Sequence, residues 1–430
     1  MEQAVLKFGY RKEYNIWLLL YVASNILASV ISYSTGYLMG DMDGTKVYDN
    51  GVLFIACAIE VLSYIFVLRV VFDFIFRIKF NQIFHVVETA KSRQLGGGIV
   101  LILQLLLIIV SLAFGVNTAG SSARSDSLWS LFWIFVPVDM IFLVYYGFRR
   151  EDKLFKHNLI IYILSSLIRG WSGIFLYIFF FEWCRAYRKK TIQYKKVAFI
   201  VIIVIALYPA LLSLKWIMRA SDGDLASLEN IMNIFSAYSG ELNYIEVLLQ
   251  GITHLIGRLQ HSSVIVEMIH YKELIQEGFG QGTILPFWGE GLPQLAFRRL
   301  FGLASPVSAG TALTGYFFPQ DISETAGFWN ICIGFSGWFY IAPHLIWFYL
   351  FYVFFLLFAS AYFIKQIGKE EGGSDVLWLA WISFIMQGWI MAFIGFIYAV
   401  IWFIIIQKVA KKISRVNFSL KQTEPFTQTN

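Results

Sequence analysis

The apolar runs of this chain are as long as a bilayer is thick, and that length decides its fold class. A helix of about twenty residues crosses a hydrocarbon core of about 30 Å. Runs of that length fall at 15–34, 52–70, 97–116, 128–147, 197–214 and 341–363. Two more, 153–183 and 375–408, exceed what one crossing needs. Peptide groups in lipid have no water to bond, so each run must be helical. Only 14% of the 430 residues are charged and 58% are hydrophobic. The expectation is all-α: a polytopic helical membrane protein with about 10–11 transmembrane helices and one large, partly helical periplasmic loop.

Lys and Arg collect around 69–93, 149–156, 185–196, 365–369 and 408–421, besides Lys7, Arg11 and Lys12. With the N-terminus inside, all of these fall on the cytoplasmic side, as the positive-inside rule asks. A single crossing by 158–183 would export "CRAYRKKTIQYKK". That run should therefore turn back, at Arg169-Gly170-Trp171-Ser172-Gly173. Each arm is then about 24 Å long, short of a full crossing, which leaves the tip near the outer interface. The second long run repeats the pattern. "SSLIRGWSGIF" (165–175) and "SFIMQGWIMAF" (383–393) share S-x-x-x-x-G-W-x-x-x-F. Tight outer turns select Gly and interfacial Trp anyway, so the match is either an internal repeat or shared turn chemistry.

The resulting division is N-terminal transmembrane helices over 1–214, including the short hairpin 153–183; an external loop over 215–327; C-terminal transmembrane helices over 328–412; and a disordered cytoplasmic tail over 413–430. The loop is net acidic. Its first half is helical by period, with a short helix opened by Ser227 and Glu229 and a second over 241–273 with Leu248, Ile252, Leu255 and Leu259 on one face. Its second half is rich in Gly and Pro without a period, the composition of a binding loop or lid. The first run has no cleavage pattern after it and reads as a retained helix. Cys57, Cys184 and Cys332 lie far apart, without CxxC spacing, so neither a disulfide framework nor a metal site is expected.

Candidate chemistry lies in four places. Arg169 at a membrane-embedded turn is either a snorkelling anchor or a planar fork for a phosphate, with Trp171 beside it. His254, Arg258 and His261 stand at i, i+4 and i+7, a cationic edge within about 60° on one helix face. The edge is either a solvated face or a phosphate ligand with a general base. Arg298-Arg299, with Glu290 before them and Arg219 at the loop's start, could complete a pyrophosphate pocket or stay solvated. Glu324 is either a base acting on a hydroxyl or a charge at a helix N-terminus. Two acids inside spans, Glu60 and Asp139, mark ion routes or pair with interior arginines such as Arg69. Asp41 and Asp43 in "GDMDG" form a D-x-D, a weak metal signature. No P-loop, GxGxxG, G-x-S-x-G or HExxH occurs, which leaves nucleotide and hydrolase chemistry without support.

The layout, with "LIRGWSGIFLYIFFFEW", "LIGRLQHSSVI" and "TAGFWNICIGFSGWFYIAPHL", resembles the Wzy family of oligosaccharide repeat-unit polymerases, related to the O-antigen ligases. Gln387 departs from it, standing where an arginine before the glycine is expected. The resemblance implies a metal- and cofactor-independent membrane glycosyltransferase in the bacterial inner membrane. It would transfer a growing glycan from an undecaprenyl pyrophosphate carrier to the sugar hydroxyl of another lipid-linked unit. Its partners would be that lipid-linked oligosaccharide, membrane lipid, a chain-length regulator and a flippase, and no nucleic acid. In that reading Arg169 and Arg258 clamp the pyrophosphate, His261 or Glu324 takes the proton, and Arg219, His254, Arg298, Arg299 and Trp171 bind substrate. Phe287, Trp288, Trp329 and Trp338 would stack on sugars. A flippase or other transporter is the rival reading.

Overall fold

The computed structural model describes residues 10–84, 86, 88–114, 132–133, 135–169, 171, 173–199, 201–203, 206, 244–302, 307–318, 330–368 and 371–422. Among these it is helical without strands, and five helices are long and apolar enough to cross a membrane: Lys12–Thr35, Asn50–Arg77, Ala90–Phe114, Pro343–Ile367 and Ile390–Arg415. The chain is an all-α, multi-pass membrane protein. The first helices are α1 (Asn15–Thr35), α2 (Asn50–Ile65), which runs through a π-helical segment at Phe66–Val71 into α3 (Phe72–Arg77), and α4 (Ala90–Phe114). The run at 128–147 yields α5 (Val138–Arg149), which starts only after Pro137.

The chain reverses twice at the end of an arm too short for a full crossing. α6 (Phe155–Ile168) and α7 (Ile174–Arg188) are about 21 and 22 Å long. The start of the first lies against the end of the second: Arg150 pairs with Glu182 at 2.8 Å and Arg185 with Glu151 at 3.2 Å. The second reversal joins α15 (Glu371–Ala380) and a π-helical turn at Trp381–Ile385 to α16 (Ile390–Gln422). Both tips close with the same backbone bond, from a tryptophan N–H to the carbonyl five residues back: Trp171 to Ser166 and Trp389 to Phe384, each 2.8 Å. That is the longer bond of a Schellman motif, and it puts Arg169 and Gln387 at equivalent C-cap positions. Gly388, the next residue, has φ +76°, which only glycine adopts at no steric cost.

The basic segments share one end of the bundle. Arg188 bonds Glu13 at 2.9 Å, Glu371 at 2.9 Å and Asp375 at 2.6 Å. Lys365 donates to the carbonyls of Phe76 and Ile78, both at 2.6 Å. Tyr14, Phe180 and Trp378 stack behind this lattice. The opposite end carries the link between α1 and α2. Gly36, left-handed at φ +75°, ends α1, and the Asp49 carboxylate caps α2 through the N–H groups of Gly51 and Val52. Apolar side chains such as Leu19, Leu62, Ile109 and Trp347 face outward, where acyl chains would cover them.

The helix expected over 241–273 is three: α8 (Tyr244–Arg258), α9 (Ser262–His270) and α10 (Lys272–Gly280). Its apolar stripe does not form one face, since Leu255 is exposed while Leu259 is buried. α9 is buried from Ser262 to Met268 and packs against α1 and α2. The stretch read as aperiodic contains two short helices, α11 (Leu292–Leu300) and α12 (Ala309–Phe317). α13 (Trp338–Ile341) then leads into α14 (Ile346–Ile367). The short helix at Ser227 and Glu229, and residues 423–430 of the tail, lie outside the described residues.

Candidate functional site

The break before α9 creates a buried polar cluster. A helix started there would leave its first N–H groups without partners. Two side chains supply them: Asn25 Oδ1, from the middle of α1, accepts from His261 N at 3.1 Å and Ser262 N at 3.2 Å, and Gln260 Oε1 accepts from Ser263 N at 3.0 Å. The capped break swings His261 off the face it would share with Arg258 on a continuous helix. It is 1% exposed.

His261 meets three other segments. On one side of the ring, Nδ1 lies 3.1 Å from Tyr64 Oη and 3.9 Å from Glu60 Oε2. On the other, Nε2 lies 2.9 Å from Gln387 Oε1, at the second hairpin tip. Glu60 is fully buried; its Oε1 accepts from Ser336, while Oε2 accepts no hydrogen bond among the described residues. Two glycines allow these approaches. A Cβ on Gly334, at φ +69°, would stand 3.2 Å from His261 Cβ, and one on Gly388 would stand 2.7 Å from the Gly334 carbonyl. Glu60 and Asn25 each lie ten residues from the helix ends that the α1–α2 link joins, so the cluster sits about 15 Å inside those ends. Burial pushes the His261 imidazole below its ordinary value, Gln387 and Asp41 oppose the shift, and Arg258 adds to it. The neutral imidazole, the form able to take a proton, is therefore favoured.

Arg258 forms the rim. Its Nη1 lies 3.2 Å from Asp41 Oδ1, with about a third of its side chain exposed. Asp41 Oδ2 also accepts from Cys332 N at 3.2 Å. Asp41 reaches the arginine because Gly40 and Gly257 touch: a Cβ on Gly40 would stand 2.6 Å from the Gly257 carbonyl. The D-x-D thus does not converge. Asp41 turns inward and Asp43 is exposed, and no group of three His, Cys, Asp or Glu placed to hold a metal occurs among the described residues.

Arg169 has a protein partner. Its two terminal nitrogens bond Asp139 Oδ1 and Oδ2 at 2.6 and 2.7 Å, and its Nε donates to the Ser165 carbonyl at 3.1 Å. The guanidinium is 1% exposed and its fork is filled by a carboxylate, not held open for a phosphate. Neither intramembrane acid pairs with Arg69, which lies over the Tyr10 ring. Trp171 is about half exposed, and His254 lies on α8, a turn from Arg258.

Arg298 and Arg299 lie on α11, not on an irregular loop. Glu290 is buried and accepts from Ala309 N at 3.4 Å; burial pushes its carboxyl up to about 8. Phe287 and Trp338 are buried against Tyr349 and cannot stack on sugars, whereas Trp288 is more than a third exposed. Arg219, Glu324 and Trp329 lie outside the described residues.

The cluster joins Arg258 and His261, two of the candidates named from the sequence, to Glu60, Tyr64, Ser336, Gln387 and Asp41, which the sequence did not group with them. One signal was present: Gln-His-Ser-Ser inside an otherwise helical pattern is a helix start. No protein-family model matches the chain, and neither a curated protein nor a solved structure matches it.

Proposed function

We propose that the chain polymerises lipid-linked oligosaccharide repeat units: a glycosyl transfer from an undecaprenyl pyrophosphate donor to a sugar hydroxyl, at the outer face of a bacterial inner membrane. The observation that carries the reading is a buried imidazole, held toward its neutral form, near an arginine whose side chain is about a third exposed, inside a membrane-embedded bundle. A substrate anchored in the bilayer reaches such a place; a water-borne one does not. Arg258 would take the pyrophosphate in exchange for Asp41, stabilising the charge that grows as the anomeric C–O bond breaks. The acceptor hydroxyl would displace Gln387 from Nε2, lose its proton to His261, and form the new bond to the anomeric carbon. The pyrophosphate leaves with the bonding electrons, and the imidazolium returns the proton to water. Base catalysis of this kind contributes roughly 10²–10⁴-fold. Arg169 has no place in that step and anchors the first hairpin. Transfer to a different acceptor, as in the O-antigen ligases, would use the same groups.

A second reading has its own support. A buried acid 3.9 Å from a buried histidine, between spanning helices, is also the arrangement of a proton-coupled transporter, here of the same lipid-linked oligosaccharide. Purified protein in nanodiscs, given lipid-linked repeat units alone, separates the two. Longer glycans formed without nucleotide sugar or an ion gradient support the polymerase. No elongation, with proton-dependent transbilayer movement of the same lipid in vesicles, overturns it for the transporter.

A further inference from the structure

Glu60 is the one member of the cluster with an unspent oxygen. Ser336 and the close backbone at Gly334 hold Oε1, and Oε2 points to the Nδ1 side of His261. Tyr64, one turn further along the same helix, approaches the same nitrogen. The other ring nitrogen faces the hairpin tip. A carboxylate behind one imidazole nitrogen, with the opposite nitrogen turned to the place of reaction, is how an acid fixes the tautomer of a catalytic histidine and stabilises its protonated form.

We propose that Glu60 is the positioning residue for His261. It keeps the ring proton on Nδ1, where the hydrogen is shared between Tyr64 Oη and the carboxylate. That leaves the Nε2 lone pair toward Gln387, whose Oε1 lies 2.9 Å away; with the ring proton on Nδ1 the amide turns over to donate from its NH₂, and it marks the position the acceptor oxygen takes. The 3.9 Å separation is about 0.7 Å beyond hydrogen-bond range; it closes when the ring is protonated and the pair becomes imidazolium and carboxylate. In the transfer step the hydroxyl proton moves to Nε2, Nδ1 keeps its own, and Glu60 gains none. A buried carboxylate oxygen without a hydrogen bond destabilises the fold; beside a base, Oε2 lowers the cost of charging that base.

The inference rests on the proposed glycosyl transfer for its kinetic consequence but not for its spectroscopic one. The first measurement is the ring ¹⁵N spectrum of histidine-labelled protein in nanodiscs, with His261 assigned among the six histidines by its loss in His261→Asn. The Nδ1–H tautomer is expected in the wild type and in Tyr64→Phe, and conversion to Nε2–H in Glu60→Gln. Nε2–H in the wild type, or no change in Glu60→Gln, overturns the proposal. If Glu60→Gln does not fold, the wild-type and Tyr64→Phe spectra decide. The second measurement is chain growth. Glu60→Gln is expected to lose roughly 10²–10⁴-fold in kcat with KM unchanged, and Glu60→Asp to regain part of it. A loss confined to KM, or wild-type growth in Glu60→Gln, also overturns it. If wild-type protein elongates nothing, the glycosyl-transfer reading fails while the tautomer result still judges Glu60.

Discussion

The two hairpin tips share a sequence pattern, a closing backbone bond and a C-cap position, yet the residues at that position do different things. Arg169 turns back to Asp139, thirty residues earlier, and its partner comes from the neighbouring helix α5. Gln387 reaches His261, 126 residues earlier, at the break before α9. The first tip leaves Trp171 about half exposed; the second has Gly388 packed against the Gly334 backbone. The charged tip is thus the spent one and the uncharged tip meets the reactive group. A side chain's formal charge says little about its role until its partner is known.

Four results would break or sharpen this contrast. The largest effect is expected at the second tip's partner: His261→Asn should slow chain growth roughly 10²–10⁴-fold at unchanged protein yield. Arg258→Ala should follow, by roughly 10²–10³-fold, if it stabilises the departing pyrophosphate; normal glycan ladders from it would return that role to Arg169.

At the first tip the effect should be on stability. Arg169→Ala strands Asp139 and should cost about 3 kcal/mol, the lower end for a broken buried pair because that carboxylate is a third exposed. The double variant Arg169→Met, Asp139→Leu should recover most of it in thermal unfolding. A double variant as unstable as the single would mean that the pair is not what anchors the hairpin.

The smallest effect is on pH dependence. The folded-state value of His261 is lowered, so below about 6.5 the unfolded chain takes up a proton that the folded one does not. The contribution is fully present above about 6.5 and lost as pH falls below it. Stability between pH 7 and 5 should therefore fall less in His261→Asn than in the wild type; parallel profiles would contradict the burial argument.

The sequence made the membrane architecture legible because hydropathy and the placement of Lys and Arg are both read from neighbours in the chain. The reversal at 169–173 follows from charge at its two ends, and the tip residues from Gly-Trp. What failed were the features that depend on distant partners. The pattern from 241 to 273 is helical throughout, but Asn25, more than two hundred residues away, caps the break that moves His261 inward. Arg169 read as a free fork because Asp139 could not be paired with it by spacing. Asp41 offered only a weak D-x-D signature, because the contact between Gly40 and Gly257 that brings it to Arg258 leaves no periodic trace. Phe287 and Trp338 read as sugar platforms because aromatic composition does not distinguish a binding surface from a core.

The most direct test compares chain elongation by purified His261→Asn and by the Arg169→Met, Asp139→Leu variant, each in nanodiscs with lipid-linked repeat units. The first should be folded and make no ladder, and the second should be folded and make a wild-type one. A ladder from His261→Asn, or its loss from a stable double variant, would contradict a base at His261 and place the chemistry at the first tip.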